Sequence, residues 1–169
     1  VISALPEPST VECTSEPVFT TPTATDLCDP EPSLTFVDER TPGDCLQEYS
    51  VTRTWTATDA CGNSSTASQT ISVVDTTAPV IEICADDASY QCADEVVYPT
   101  NSWAGFVAAG GMATDNCDTA LEASYVAGDP MGTCPTTIEL TWTIADDCGN
   151  TATCVQTITV DDTTAPVIE

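Results

Sequence analysis

Ile138, Leu140, Trp142 and Ile144 alternate with Thr137, Glu139, Thr141 and Thr143. That period of two sets one row of side chains on each face of a β-strand. The turn-forming run Asp146-Asp147-Cys148-Gly149-Asn150 follows, and beyond it a second alternation carries Ile158 and Val160. Residues 137–160 therefore predict the last hairpin of a β-sandwich. The same phase occurs earlier at Val51, Arg53, Trp55 and Ala57, with Ile71 and Val73 past the turn. Few windows favour a helix, Thr, Ser and Val are abundant, and Pro and Gly are scattered along the chain. Many short strands joined by turns, an all-β chain, is the expectation.

The alternation repeats because the sequence repeats. Cys13-Thr-Ser-Glu16 matches Cys92-Ala-Asp-Glu95, and Thr25-Asp-Leu-Cys-Asp29 matches Thr114-Asp-Asn-Cys-Asp118. Cys45 matches Cys134, Thr54-Trp-Thr56 matches Thr141-Trp-Thr143, and Cys61-Gly-Asn63 matches Cys148-Gly-Asn150. Asp75-Thr-Thr-Ala-Pro-Val-Ile81 returns as Asp162-Thr-Thr-Ala-Pro-Val-Ile168. Two modules follow, at about residues 1–79 and 80–166, with Val167-Ile168-Glu169 opening a third. The second copy holds ten more residues between its first matched cysteine and the Asp-x-Cys-Asp loop, around 101–112.

Charge narrows the partners. The chain has 27 acidic residues against two arginines, with no histidine and a formal net charge of -25. Such a surface repels nucleic acid and anionic lipid and attracts cations. No apolar run of membrane-spanning length occurs, so direct membrane insertion is not expected. Without histidine or lysine to act as a base, and with every cysteine matched or plausibly bridged, the chain does not read as an enzyme; a bare carboxylate pair is the residual catalytic option.

The segment Thr54-Trp-Thr-Ala-Thr-Asp-Ala-Cys-Gly-Asn63 and the Asp-Thr-Thr-Ala-Pro-Val-Ile linkers resemble the hyalin-repeat (HYR-like) modules of large surface proteins. The resemblance covers essentially the whole chain. It implies two tandem immunoglobulin-like β-sandwich modules, disulfide-stabilised, within an adhesin or extracellular filament of the kind found in Bacteroidota, many of them exported by the type IX system.

Ten cysteines without histidine argue for disulfides rather than zinc, and so for an extracellular or cell-surface location. Cys134 and Cys148 flank one strand of about eight extended residues, roughly 26 Å, too far apart to pair. With strands running alternately up and down, the expected bridges are Cys92–Cys134 and Cys117–Cys148, and by register Cys13–Cys45 and Cys28–Cys61. Cys84 and Cys154 have Leu5 and Ala67 as counterparts in the first copy. They vanish together there, which pairs Cys84 with Cys154. A sequential framework, Cys13 with Cys28, remains the alternative.

Acidic loops carry the remaining chemistry. Asp115 and Asp118 in one loop, Asp146 and Asp147 in another, and Asp75 from the linker offer hard oxygen ligands suited to Ca²⁺. Asp26, Asp29 and Asp59 form the corresponding set in the first copy, and Asp161 and Asp162 would serve a following module. The competing reading is that these aspartates cap turns. Thr76, Thr119 and Thr163 each follow an Asp, as in the O-glycosylation signal that the resemblance brings with it, and Asn63-Ser-Ser65 fits the N-linked sequon. In the insertion, Trp103 and Phe106 are candidate contact residues, against the alternative that the insertion covers an open sandwich edge. The function expected is a rigid spacer or fibre module in contact with neighbouring modules of the same chain or filament. Alternatives are an adhesin module that binds surface glycans or proteins through residues 101–112, and a subunit that polymerises by strand exchange.

Overall fold

The computed structural model describes residues 1–168 and forms two compact units, Val1–Thr76 and a second from Thr77 on. Glu169, the last residue expected to open a third module, lies outside the described residues.

In the first unit, β1 (Ser9–Glu12), β2 (Ser33–Pro42), β3 (Tyr49–Thr58) and β4 (Ser64–Val74) form one sheet in the order β1-β4-β3-β2. The hairpin β3–β4 is antiparallel, with Trp55 opposite Ala67 and Thr58 opposite Ser64. Its turn carries Gly62 at φ 88°, a left-handed conformation that only glycine adopts without strain. β1 pairs with β4 in parallel, Thr10 opposite Ser72. Across from this sheet stands little more than an isolated bridge between Ile2 and Ala24.

The second unit repeats the plan. Its strands are β5 (Val80–Ile83), β6 (Ala88–Tyr90), β7 (Met112–Thr114), β8 (Glu122–Ala127), β9 (Met131–Gly132), β10 (Thr136–Ala145) and β11 (Thr151–Val160). The main sheet runs β6-β11-β10-β8, with β9 also paired to β10, and β5 and β7 form a separate two-stranded ribbon. Ile81 faces Ala113 in that ribbon, where Ile2 faces Ala24 in the first copy. β6 pairs with β11 in parallel with Ser89 opposite Thr159, the counterparts of Thr10 and Ser72. The repeat therefore extends from residue types to strand register. The all-β, immunoglobulin-like sandwich is the observed fold, with one layer much the larger.

The inward rows are those the alternation predicts. Trp55, Ala57, Ile71 and Val73 are buried in the first unit, and Ile138, Leu140, Trp142, Ile144 and Ile158 in the second. Burying each large apolar side chain contributes roughly 1.5–3 kcal/mol, so these rows hold the layers together.

The insertion departs from the all-β expectation. Residues Trp103–Ala108 form a short helix, α1, capped by the Ser102 side chain, which accepts from Gly105 N–H at 3.2 Å. Phe106 on α1 is fully buried, with its ring 5.3 Å from Trp142 and 5.7 Å from the half-buried Trp103. Expected as a contact residue, Phe106 is instead a core residue, because the thin β5–β7 layer leaves the Trp142 face open and the helix fills it. Trp103 packs partly against the same cluster.

Cys84, just after β5, is bonded to Cys154 on β11 with Cα atoms 5.9 Å apart, tying the ribbon to the main sheet. Cys13, Cys45, Cys117 and Cys148 are also disulfide-bonded.

Phe106→Ala should lower the stability of the second unit by about 3–5 kcal/mol, and replacing both Cys84 and Cys154 by Ser by about 2–4 kcal/mol. Urea titration followed by fluorescence should show both losses in the transition of the second unit, with that of the first unmoved.

Candidate functional site

At the turn end of each sheet, two acidic loops are joined by the same set of hydrogen bonds. In the second unit Asp115 Oδ1 accepts from the N–H groups of Cys117 (2.8 Å) and Asp118 (2.9 Å). Asp118 Oδ1 accepts from Ala120 N–H, while its Oδ2 crosses to the neighbouring loop and accepts from Asp147 N–H at 2.9 Å. Asp146 closes the β10–β11 turn, accepting from Cys148 and Asn150 N–H at Oδ1 and from Asn150 Nδ2 at Oδ2.

The first unit matches this bond for bond. Asp26 Oδ1 accepts from Cys28 and Asp29 N–H, Asp29 Oδ2 accepts from Ala60 N–H at 2.8 Å, and Asp59 caps Cys61 and Asn63. In both copies the aspartates act as turn caps, satisfying backbone donors that the sharp loops leave without a ladder partner.

These bonds set the acidity of the first loop pair. Backbone N–H donors from Cys28 and then Asp29 hold Asp26 below the ordinary carboxylate value of 3.8. The Asn63 side-chain amide, followed by its backbone N–H, does the same for Asp59.

Two of the aspartates proposed as metal ligands retain capacity beyond capping. Asp115 and Asp146 bring carboxylate oxygens within 4.8 Å of each other. Asp115 Oδ2 is buried with no hydrogen-bond donor, so a cation would satisfy an oxygen that the protein leaves bare, and carboxylate oxygens are among the hard donors Ca²⁺ takes. Asp118 has both oxygens engaged, and Asp147 joins the cluster through its backbone N–H. Asp75 is buried at the end of β4. Asp161 and Asp162 lie at the other end of the second unit, beyond β11, where Asp161 N–H donates to Tyr90 O.

The expected pairs Cys28–Cys61 and Cys92–Cys134 are not formed: all four are exposed free thiols. The loops bearing Cys28 and Cys61 are joined by the Asp29 carboxylate on Ala60 N–H. Cys134, preceding the cis Pro135, directs its Sγ to Asp161 Oδ1 at 3.6 Å rather than to Cys92. Desolvation pushes the Cys92 thiol up, with Glu95, Asp94 and Asp162 adding to the effect.

The candidate glycosylation positions Thr76, Thr119, Thr163 and Asn63 are all exposed. Thr76 Oγ1 donates to Glu12 Oε1 at 2.8 Å, and Thr163 Oγ1 to Gln91 Oε1 at 3.0 Å, again at equivalent positions. Asn63 Nδ2, the atom a glycan would take, donates to Asp59 Oδ2.

A further cluster surrounds Arg53. Arg53 makes two 2.7 Å contacts to Asp38 and lies 4.0 Å from the centroid of Phe36 and 4.5 Å from that of Phe19. Phe19 in turn meets Trp55 edge-on at 6.0 Å. The alternation sets Arg53 on the Trp55 face, and the fold brings it both aromatic rings and a carboxylate. The Arg53 guanidinium holds Asp38 below the ordinary carboxylate range.

Fold and site together define a disulfide-stabilised, immunoglobulin-like β-module present in two copies, with capped acidic loops at one end. Residues 1–73 match the family described as "HYR-like domain with 4 cysteines". No curated protein matches the chain. Among solved structures, the chain is similar to the protocadherin γB4 extracellular domain, at 12% identity and TM-score 0.36, over 95% of this chain and 34% of that one. It is also similar to protocadherin γB2 extracellular cadherin domains 3–6, at 11% identity and TM-score 0.35, over 95% and 51% of the respective chains. For the protocadherin γB7 EC3-6 cis-dimer structure the values are 13% and 0.34, over 95% and 50%. The chain thus spans between a third and about half the length of these proteins.

Asp26, Asp38 and Asp59 have lowered folded-state values, so their stabilisation is complete above the unfolded value of 3.8 and is lost as pH falls below it. The melting temperature of the first unit should therefore hold down to about pH 4 and drop beneath it. Asp59→Asn should flatten that drop in circular-dichroism melts taken across the acid range.

Proposed function

We propose that this chain is a stretch of a secreted or cell-surface adhesin or filament, in which each module is a stiff, protease-resistant spacer. The observation carrying this reading is that both copies conserve strand register and the whole loop hydrogen-bond set, while their exposed side chains differ. A repeated element selected for shape has that signature. Reaction chemistry would instead be expected to place a distinctive constellation in one copy. The match of the first copy to an HYR-like domain supports an extracellular, adhesion-type role. The lack of histidine and lysine supports a non-enzymatic one.

Ca²⁺ at Asp115 and Asp146 belongs to the same reading, since a divalent ion at the capped loops would offset part of the -25 charge and stiffen the module. Sugars on Thr76 and Thr163 would shield the linkers. Each would first have to displace the hydroxyl from Glu12 or Gln91, and intact mass of native material reads the added sugar directly.

A second reading has one observation in its favour. Between α1, β6 and the segment 97–100 the second unit has a groove of about 460 Å³, bordered by Tyr90, Tyr98 and the Gly105–Ala109 edge of the insertion. Tyr98 is 43% exposed there, and an open aromatic groove suits a sugar face.

The two readings separate on one comparison. For a spacer, Tyr98→Ala and Trp103→Ala leave glycan-array binding and cell adhesion unchanged, and single-molecule pulling of the oxidised chain shows high unfolding force. Adhesion lost in Tyr98→Ala with the fold intact would make the groove the functional site. For the ion, calorimetry should show millimolar-range Ca²⁺ binding that disappears in Asp115→Asn; no heat with the unsubstituted chain removes Ca²⁺ from the account.

A further inference from the structure

The repeat pairs every bonded cysteine of the two loop ends with a free one. Cys13 and Cys45 are bonded, while their counterparts Cys92 and Cys134 are free. Cys117 and Cys148 are bonded, while their counterparts Cys28 and Cys61 are free. The hydrogen bonds that join the loops do not account for this. The loops carrying Cys28 and Cys61 are joined by the Asp29 carboxylate in the way that Asp118 joins those carrying Cys117 and Cys148. The loops holding the two turn-end sets are thus equivalent in their hydrogen bonds, and what differs is exposure: the four free cysteines are exposed and the four bonded ones half-buried.

Their places in each unit are also distinct. Cys28 and Cys61 sit at the turn end of the first unit, beside the β3–β4 turn. Cys92 follows β6 and Cys134 precedes β10, both beside the Asp161–Asp162 segment at the opposite end of the second unit from the β10–β11 turn. The free set holds two cysteines at each kind of end, as the bonded set does.

We propose that the two free pairs are complementary half-sites for disulfides between copies of this chain, Cys92 and Cys134 of one copy joining Cys28 and Cys61 of the next. The contact is heterologous, joining unlike ends, so it propagates as a filament unless its rotation closes a ring. It rests on the serial-array reading above but is indifferent to whether the array serves as spacer or binder. In each bridge two thiols lose two protons and two electrons as the S–S bond forms. A low-molecular-weight disulfide such as oxidised glutathione takes the electrons, and its own S–S bond is reduced to two thiols. The net charge of -25 on each copy opposes the encounter, and screening by salt relieves it.

The test is to hold the 169-residue chain in a glutathione redox buffer at about pH 8.5, where thiolate is available, with salt. Non-reducing gels and peptide mapping by mass spectrometry read the products. The expected result is a ladder of multimers that collapses to one band on reduction, with linked peptides joining Cys28 or Cys61 to Cys92 or Cys134. Two variants sharpen it, Cys28→Ser with Cys61→Ser and Cys92→Ser with Cys134→Ser. Each replaces only free thiols, so Cys84–Cys154 is retained as a check of the fold. Either variant alone should stay monomeric, and a mixture of the two should give dimers. Bridges within one chain, Cys28–Cys61 or Cys92–Cys134, would overturn the proposal. So would multimers linked like to like, or monomers ending with four glutathione adducts.

Discussion

Each module has one broad sheet and almost nothing facing it, and this shortage of a second layer governs the rest of the structure. A β-hairpin with a tryptophan at its centre must bury that face. In the first unit the cover is Phe19, set edge-on to Trp55, with Arg53 laid over Phe19 and Phe36 and held by Asp38. In the second it is the two-stranded ribbon, tied down by Cys84–Cys154, together with the helix that sets Phe106 and Trp103 around Trp142. The same problem is solved by a cation and aromatics in one copy, and by a disulfide and an inserted helix in the other.

That substitution explains why the asymmetries between the copies occur together. Leu140 stands where Arg53 stands in the first copy, Cys84 and Cys154 stand where Leu5 and Ala67 do, and the ten extra residues fall in the second copy. These changes concern how a half-open core is closed. The capped loops do not change, because the backbone donors they satisfy are set by turn geometry that both copies share.

The strands were readable because alternation has a physical cause. Residues 137–160 show the inward row directly, and Trp142 and Trp55 stand in the same phase. The repeat was equally legible, down to Ile2 and Ile81 at matching bridges. The insertion was not: its aromatics look the same whether they face solvent or a core, and only the open Trp142 face decides that Phe106 points inward. The turn-capping role of the aspartates was open in the sequence beside the metal reading, and the backbone donors around them make capping the observed role.

Cysteine pairing divides along the same line. Two residues that are absent together from the first copy point to one another, and Cys84 and Cys154 are bonded. Where all members are present in both copies, residue identity carries no information about partners, and the expected Cys28–Cys61 and Cys92–Cys134 bridges gave way to free thiols. Periodicity, repeat register and compensating absences are properties of a one-dimensional string, so strands, modules and one bridge could be derived from it. Which face an inserted segment covers, and which of several equivalent thiols lie within about 2 Å of a partner sulfur, depend on three-dimensional distances that arise only once the layers have packed.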